Sequence, residues 1–316
     1  MFLFIFIAVP VVVAGFLPIL SRISRKFLPD VLANLCFVVL LAATITTANL
    51  WPGGGRFCHS LSWFGTSLNI SPVLDGLTLL MLFTISIISL AVGIFSIQYI
   101  EKYTSPAIYY SMLLVLVASM NGIVLSSDLF TMYIFIEAAG ISSYGLVALG
   151  KTKQATEGAF KYLVLSALAS SFILLGIAGV FIKIGTTSIK EVASFADIIP
   201  KISIILFLAG FGLKCALIPF HFWMPDAYTS APAVLPAMSS GLFVKVAGVY
   251  AMCRVFFNVS GFNPSVSSVM VYLGVISILV GALLALGQSR LRRMLAYSSI
   301  SQVGYVILAI GIGTPL

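Results

Sequence analysis

Long apolar runs separated by short polar stretches recur along the whole sequence. A membrane-crossing helix needs about 20 mostly apolar residues. Ten runs come close to that length, at 2–20, 30–50, 75–100, 107–126, 128–149, 159–182, 202–220, 236–257, 267–287 and 294–312. No polar span between them is long enough for a soluble domain. The pattern predicts an all-α polytopic membrane protein of about ten transmembrane helices. The longest intervals are 51–74 and 183–201. Gly53, Gly54 and Gly55 mark a turn in the first, which predicts a small hairpin outside the bilayer. The second reads SIKEVASFADIIP and predicts a short interfacial helix. The opening run MFLFIFIAVPVVVAGFLPIL has neither a positive flank nor a small-residue cleavage site, so it reads as a retained helix, not a signal peptide.

Within this pattern, residues 202–257 stand apart. Two apolar runs flank a middle punctuated by Pro219, Pro225, Pro232 and Pro236, each lacking a backbone donor. The first run contains Lys214 and the second Lys245. A charge at bilayer depth costs about 2.5–3.5 kcal/mol on insertion scales. Broken helices are tolerated in lipid only where they line a cavity or are buried in protein. Two lysines beside such a break point to an ion path.

Composition sharpens the class. The chain is 60% hydrophobic and 8% charged, against about 25% charged in soluble domains. The net charge of +8 does not imply nucleic acid, because the basic residues sit in short loops. The odd-numbered loops hold ten of the 17 basic residues: Arg22, Arg25, Lys26, Lys102, Lys151, Lys153, Lys161, Arg290, Arg292 and Arg293. The even-numbered loops hold Arg56, Lys183, Lys190, Lys201 and Arg254. This bias predicts odd loops in the cytoplasm and both termini outside.

Cys36, Cys58, Cys215 and Cys253 form no C-x-x-C pair. They read as small buried hydrophobes and not as cluster ligands. His59 falls in a loop and His221 at the break, neither placed to hold a haem between helices. The expectation is a chain with no redox cofactor, no metal site and no catalytic residue of its own.

Eight of the nine acidic residues fall in loops or near helix ends. Asp128 is one, read as a helix N-terminal carboxylate. The other is Glu137, nine residues into its run, about 14 Å deep at helical rise. Glu137, Lys214 and Lys245 are therefore the deep ionisable groups. A static ion-pair staple is the plainer reading, but one pair leaves a lysine over. Burial disfavours the charged form, and a nearby opposite charge favours it. A lysine held between these effects can change protonation when its partner moves, as a proton relay requires. Ser239 and Ser240 precede Lys245 by about a turn, and Ser142, Ser143 and Tyr144 follow Glu137. Ser298, Ser299, Ser301 and Gln302 cluster in the last run. Serines in membrane helices often serve only packing, but this density fits a water path.

The order Glu137, then Lys214 with IPFHFWMPDAY and TSAP, then Lys245 with GVYAMCR, then RRMLAYSSISQVGY, resembles the antiporter-like membrane subunits. These occur in respiratory complex I, in membrane-bound hydrogenases and related archaeal complexes, and in Mrp-type sodium/proton antiporters. The likeness covers about residues 70–312, and SSGLFVKVAGVY resembles most the Mrp D-type subunit and its hydrogenase relatives. It implies inverted repeats of five helices each. Residues 1–106 would form three N-terminal helices and 107–257 the first repeat, with its broken helix near 202–235. Residues 258–316 would form two helices of an incomplete second repeat. It implies that Glu137 tunes Lys214, that Lys214 carries the proton and that Lys245 passes it on. Pro219, His221, Trp223, Pro225 and Pro232 would shape the break. The family setting implies the plasma membrane of a prokaryote. Partners would be other membrane subunits of a complex I-like, hydrogenase-like or Mrp-type assembly, one of them packing on the last two helices.

Three departures from the family pattern stand out. V-A-G after Lys245 is one residue longer than the usual spacing, which turns a helix by about 100° unless a π-bulge absorbs it. Ser239 and Ser240 stand where some relatives carry a histidine. Full-length members also continue for several more helices, including a second broken one.

The leading expectation is a proton- or sodium-translocating, antiporter-like subunit, itself non-catalytic, of an oxidoreductase complex of the NADH, ferredoxin or hydrogenase type, or of an antiporter complex. A bridging subunit that has lost transport is the alternative, favoured by the missing helices and opposed by the retained Glu137, Lys214 and Lys245. An organic-solute transporter would need a midplane pocket that no motif names.

Overall fold

The computed structural model describes residues 2–21, 27–51, 57–58, 61–62, 69–70, 72–97, 99–150, 152–232, 238–259 and 264–313. Pro236, the Gly53–Gly55 turn, His59 and the loop cations Arg22, Arg25, Lys26, Arg56 and Lys151 lie outside the described residues, as do the side chains of Cys58, Ser239 and Ser240. The protein is an all-α polytopic membrane protein. Among the described residues, eight helices are long and apolar enough to cross a membrane, and Ile5–Leu20 is a shorter apolar one. The chain divides into two compact units, Met1–Lys151 with Pro232–Phe243, and Thr152–Ala231 with Val244–Leu316.

The first unit holds α1 (Ile5–Leu20), α2 (Phe27–Leu50), α3 (Gly76–Ser96), α4 (Pro106–Leu125) and α5 (Leu129–Ala148). Its core is α4, apolar all round and buried on nearly every face, as a central helix should be. Pro106 starts it at a position that needs no N–H donor. Pro10 and Pro18 lie inside α1, and each removes the N–H that would bond the carbonyl four residues earlier. Those carbonyls belong to Phe6 and Ala14. Asn121 Nδ2 donates to Phe6 O at 3.0 Å and Ser111 Oγ to Ala14 O at 2.9 Å, both from α4. The prolines thus open two acceptors and α4 closes them. Between α2 and α3, β1 (Phe57–Cys58) pairs antiparallel with β4 (Val73–Leu74), and β2 (Leu61–Ser62) with β3 (Asn69–Ile70). This nested pairing is a small hairpin in the interval 51–74, as expected, and it closes between β2 and β3, not at the three glycines.

The second unit opens with α6 (Lys153–Ile184), capped by the Thr152 hydroxyl and closed by Gly185 at φ 84°, a conformation glycine adopts freely. Then come α7 (Ile189–Ala193) and a 3₁₀ turn at Ala196–Ile198, where a short interfacial helix was expected. α8 (Lys201–Lys214) and α9 (Trp223–Ser230) follow. The apolar run 202–220 therefore does not stay helical to its end. Its last residues are unwound, because Pro219 cannot donate and disfavours a helical residue before it. A π-helix spans Ser239–Tyr250 and runs directly into α10 (Ala251–Asn258). α11 (Pro264–Leu286) and α12 (Leu291–Ile312) close the described chain as a tight antiparallel pair. Gly274 and Gly304 face each other there, and a Cβ on Gly304 would stand 2.9 Å from the Gly274 carbonyl. Small residues permit such close approach in membrane helices.

Candidate functional site

Lys214 is the last residue of α8 and only 2% exposed. Its Nζ donates to Ser166 Oγ on α6 at 2.8 Å, and Ser166 is itself buried. The backbone beyond it would expose several polar groups, and side chains from neighbouring helices meet them. Ser277 Oγ on α11 accepts from Ile218 N at 3.1 Å, and Trp223 Nε1 donates to Leu213 O at 3.0 Å. Ala216 adopts φ 55°, a left-handed conformation costly for a residue with a Cβ. Trp223 stacks flat on Tyr162 of α6, ring centroids 4.3 Å apart. His221 is buried, its ring 6.2 Å from that of Tyr297 on α12. Pro225 falls in the first turn of α9, where its missing N–H costs nothing. Pro232 follows the extended Ala231 that ends α9, as the residue before a proline prefers.

Lys245 lies in the π-helix, half-buried, and its Nζ donates to Ser299 Oγ on α12 at 3.3 Å. The extra residue after Lys245 noted in the sequence falls within this π-helix, whose turns are wider than α-turns. Gly248 meets Cys215, the residue after Lys214. A Cβ on Gly248 would stand 2.6 Å from Cys215 Sγ and 3.1 Å from its backbone. The segments carrying the two lysines therefore meet at a contact that only glycine permits.

In the first unit, Asp128 caps α5 by accepting from Thr131 N at 2.9 Å. Glu137 lies mid-helix in α5 and is half-buried. Ser142 and Ser143 are buried and donate to carbonyls of their own helix, Ala138 and Gly140. In the second unit, Ser298 is half-buried, Ser299 accepts from Lys245, and Ser301 donates to Ile278 O at 3.2 Å. Gln302 points outward from α12. In the YSSISQ stretch Ser299 thus meets a lysine, Ser301 joins helix packing, Ser298 stays half-buried and Gln302 is an outward amide.

Two groups escaped the sequence reading. Ser166 lies in the apolar stretch LVLSALASS, where nothing separates it from packing serines. Asp226, in the first turn of α9, binds two basic residues. Its Oδ2 stands 3.0 Å from Lys161 Nζ on α6, and its Oδ1 3.7 Å from Arg293 Nη2 on α12. It counted only as one of the eight acidic residues in loops or near helix ends. Among the described residues, no three or more His, Cys, Asp or Glu side chains gather as a metal set.

A family model described as NADH:quinone oxidoreductase/Mrp antiporter, TM, matches residues 126–315. A second, described as NADH-ubiquinone oxidoreductase (complex I), chain 5 N-terminus, matches residues 62–110. The chain belongs to the NADH:quinone oxidoreductase/Mrp antiporter transmembrane family. It is 30% identical to an NADH-quinone oxidoreductase subunit N of Desulforudis audaxviator and 29% identical to a D-type Na(+)/H(+) antiporter subunit of Alkalihalophilus pseudofirmus, each over 98% of this chain. It spans 64% of the length of either relative. Among solved structures, it superposes on a chain of the Mrp complex from Dietzia with TM-score 0.91 and 28% identity, covering 99% of this chain and 59% of that one. A chain of the archaeal membrane-bound sulfane sulfur reductase matches with TM-score 0.89 and 29% identity, covering 97% of this chain and 64% of that one.

Proposed function

We propose that this chain is an ion-translocating, antiporter-like subunit of a multisubunit complex of the oxidoreductase or Mrp antiporter kind, in the plasma membrane of a prokaryote. The ion is a proton, or a sodium ion exchanged for one, and the relay is Glu137, Lys214 and Lys245. The observation that carries the reading is the buried Lys214 ammonium, in the last turn of a helix that breaks immediately after it and in contact with the Ser166 hydroxyl. A lysine there is costly as a structural element and well suited to taking up and releasing a proton. Glu137 supplies the opposite charge that holds Lys214 protonated in one state, and Lys245, seated on Ser299, receives the proton in the next.

On this reading the odd-numbered loops face the cytoplasm and both ends of this sequence lie outside, in line with the loop charges. Gln302 points outward on an apolar helix, and a polar group facing lipid is costly. A neighbouring subunit therefore covers that face of α11 and α12. The three segments 1–106, 107–257 and 258–316 then act as an N-terminal bundle, a first repeat and part of a second.

The test compares Lys214→Ala with Lys214→Arg in everted vesicles carrying the assembled complex. Arginine fills the site but does not titrate. Both variants should assemble and both should lose coupled ion flux. Native flux with Lys214→Arg overturns the carrier role.

A further inference from the structure

Asp226 uses both carboxylate oxygens on different helices. Oδ2 meets Lys161 of α6, and Oδ1 faces Arg293 of α12. Glu157 Oε1 holds Lys161 from the other side at 2.9 Å. The next arginine strengthens the same junction, since Arg292 Nη1 donates to Ala231 O, at the end of α9, at 3.1 Å. These groups are partly exposed, with Asp226 at 34%. Ion pairs of that kind contribute little to stability, so the geometry asks for another explanation.

The two helices joined by Asp226 are the two that seat the lysines. Ser166, the Lys214 partner, follows Lys161 by five residues, about 7.5 Å along α6. Ser299, the Lys245 partner, follows Arg293 by six residues, about 9 Å along α12. A slide of either helix against α9 would carry its serine away from its lysine.

We propose that Asp226 is a positioning residue for ion transfer, one ionic joint that sets the Ser166–Lys214 and Ser299–Lys245 contacts together. It touches neither lysine and acts through the register of α6 and α12 against the broken helix. The proposal rests on the reading of Lys214 and Lys245 as carriers.

The experiment measures coupled ion flux in everted vesicles carrying the assembled complex. Asp226→Asn keeps the shape and removes the charge. Flux should fall about tenfold, within the range that an ångström of misplacement produces, and Asp226→Glu should recover most of it. In a Ser166→Ala background, Asp226→Asn should cost much less, because residues that act as a unit are non-additive. Native flux in Asp226→Asn overturns the proposal. So does a loss that stays undiminished in both the Ser166→Ala and Ser299→Ala backgrounds.

If Asp226→Asn does not assemble, Lys161→Gln and Arg293→Gln each remove one arm. Lys161→Gln should then be non-additive with Ser166→Ala alone, and Arg293→Gln with Ser299→Ala alone; additivity throughout overturns the proposal. Lys214→Arg in the same vesicles separates the two readings. Native flux there overturns the carrier role and this proposal with it. Lost flux there beside native flux in Asp226→Asn overturns this proposal only.

Discussion

At Lys214 a basic side chain is almost wholly removed from water. Its ammonium has exchanged water for a buried site with the Ser166 hydroxyl in contact. A similar rule of polar matching governs the first unit without any charge. Pro10 and Pro18 each open a carbonyl of α1, and Asn121 and Ser111 close them from α4. Leaving a buried acceptor unmatched costs about 1–3 kcal/mol. Asn121→Leu should therefore lower the thermal stability of the purified chain by an amount on that scale. An unchanged melting temperature would contradict the account. Single residues were unevenly legible in the sequence. Glu137, Lys214 and Lys245 announce themselves as charges in apolar runs. Ser166, Ser111 and Asn121 do not, because a small polar side chain in a membrane helix commonly bonds its own backbone, and only the neighbouring helix reveals another partner.

At the scale of elements, the broken helix and the π-helix are two answers to one requirement. A lysine must be held at depth with its backbone satisfied. In the first, Ser277 and Trp223 take over the groups freed by the break. In the second, wider turns seat Lys245 against Ser299 while Gly248 stays against Cys215. One residue fewer would turn the following chain by about 100°, so the lysine and the glycine could not both keep their contacts. Deletion of Ala247 should reduce ion flux about tenfold, the scale of a misplaced group, with the chain still assembled. Flux at the native level in vesicles carrying the deletion would show that the π-helix has no part in aiming Lys245. The break was legible because prolines punctuate the run. The end of α8 was not, since Cys215, Ala216, Leu217 and Ile218 are as apolar as the helix before them. The extra residue after Lys245 was legible as a change in spacing, but the extent of the π-helix around it, Ser239–Tyr250, was not.

At the scale of the whole molecule, Glu137 belongs to one compact unit and both lysines to the other. Among the described residues each of the ten apolar runs carries a helix, although 202–220 is helical only as far as Lys214, because length and apolarity decide what can cross a bilayer. Which helices gather into which unit was beyond the sequence, since lipid-facing and protein-facing apolar residues look alike in it. The central claim of the proposed function is that Glu137 and Lys214 act in one relay. The most direct test is a double-mutant cycle on ion flux in vesicles carrying the assembled complex, with Glu137→Gln, Lys214→Arg and the double variant measured side by side. Groups that act as a unit are strongly non-additive. The account predicts that the double variant is no slower than the slower single one. Two losses that multiply would mean that the carboxylate and the lysine act independently, and would contradict it.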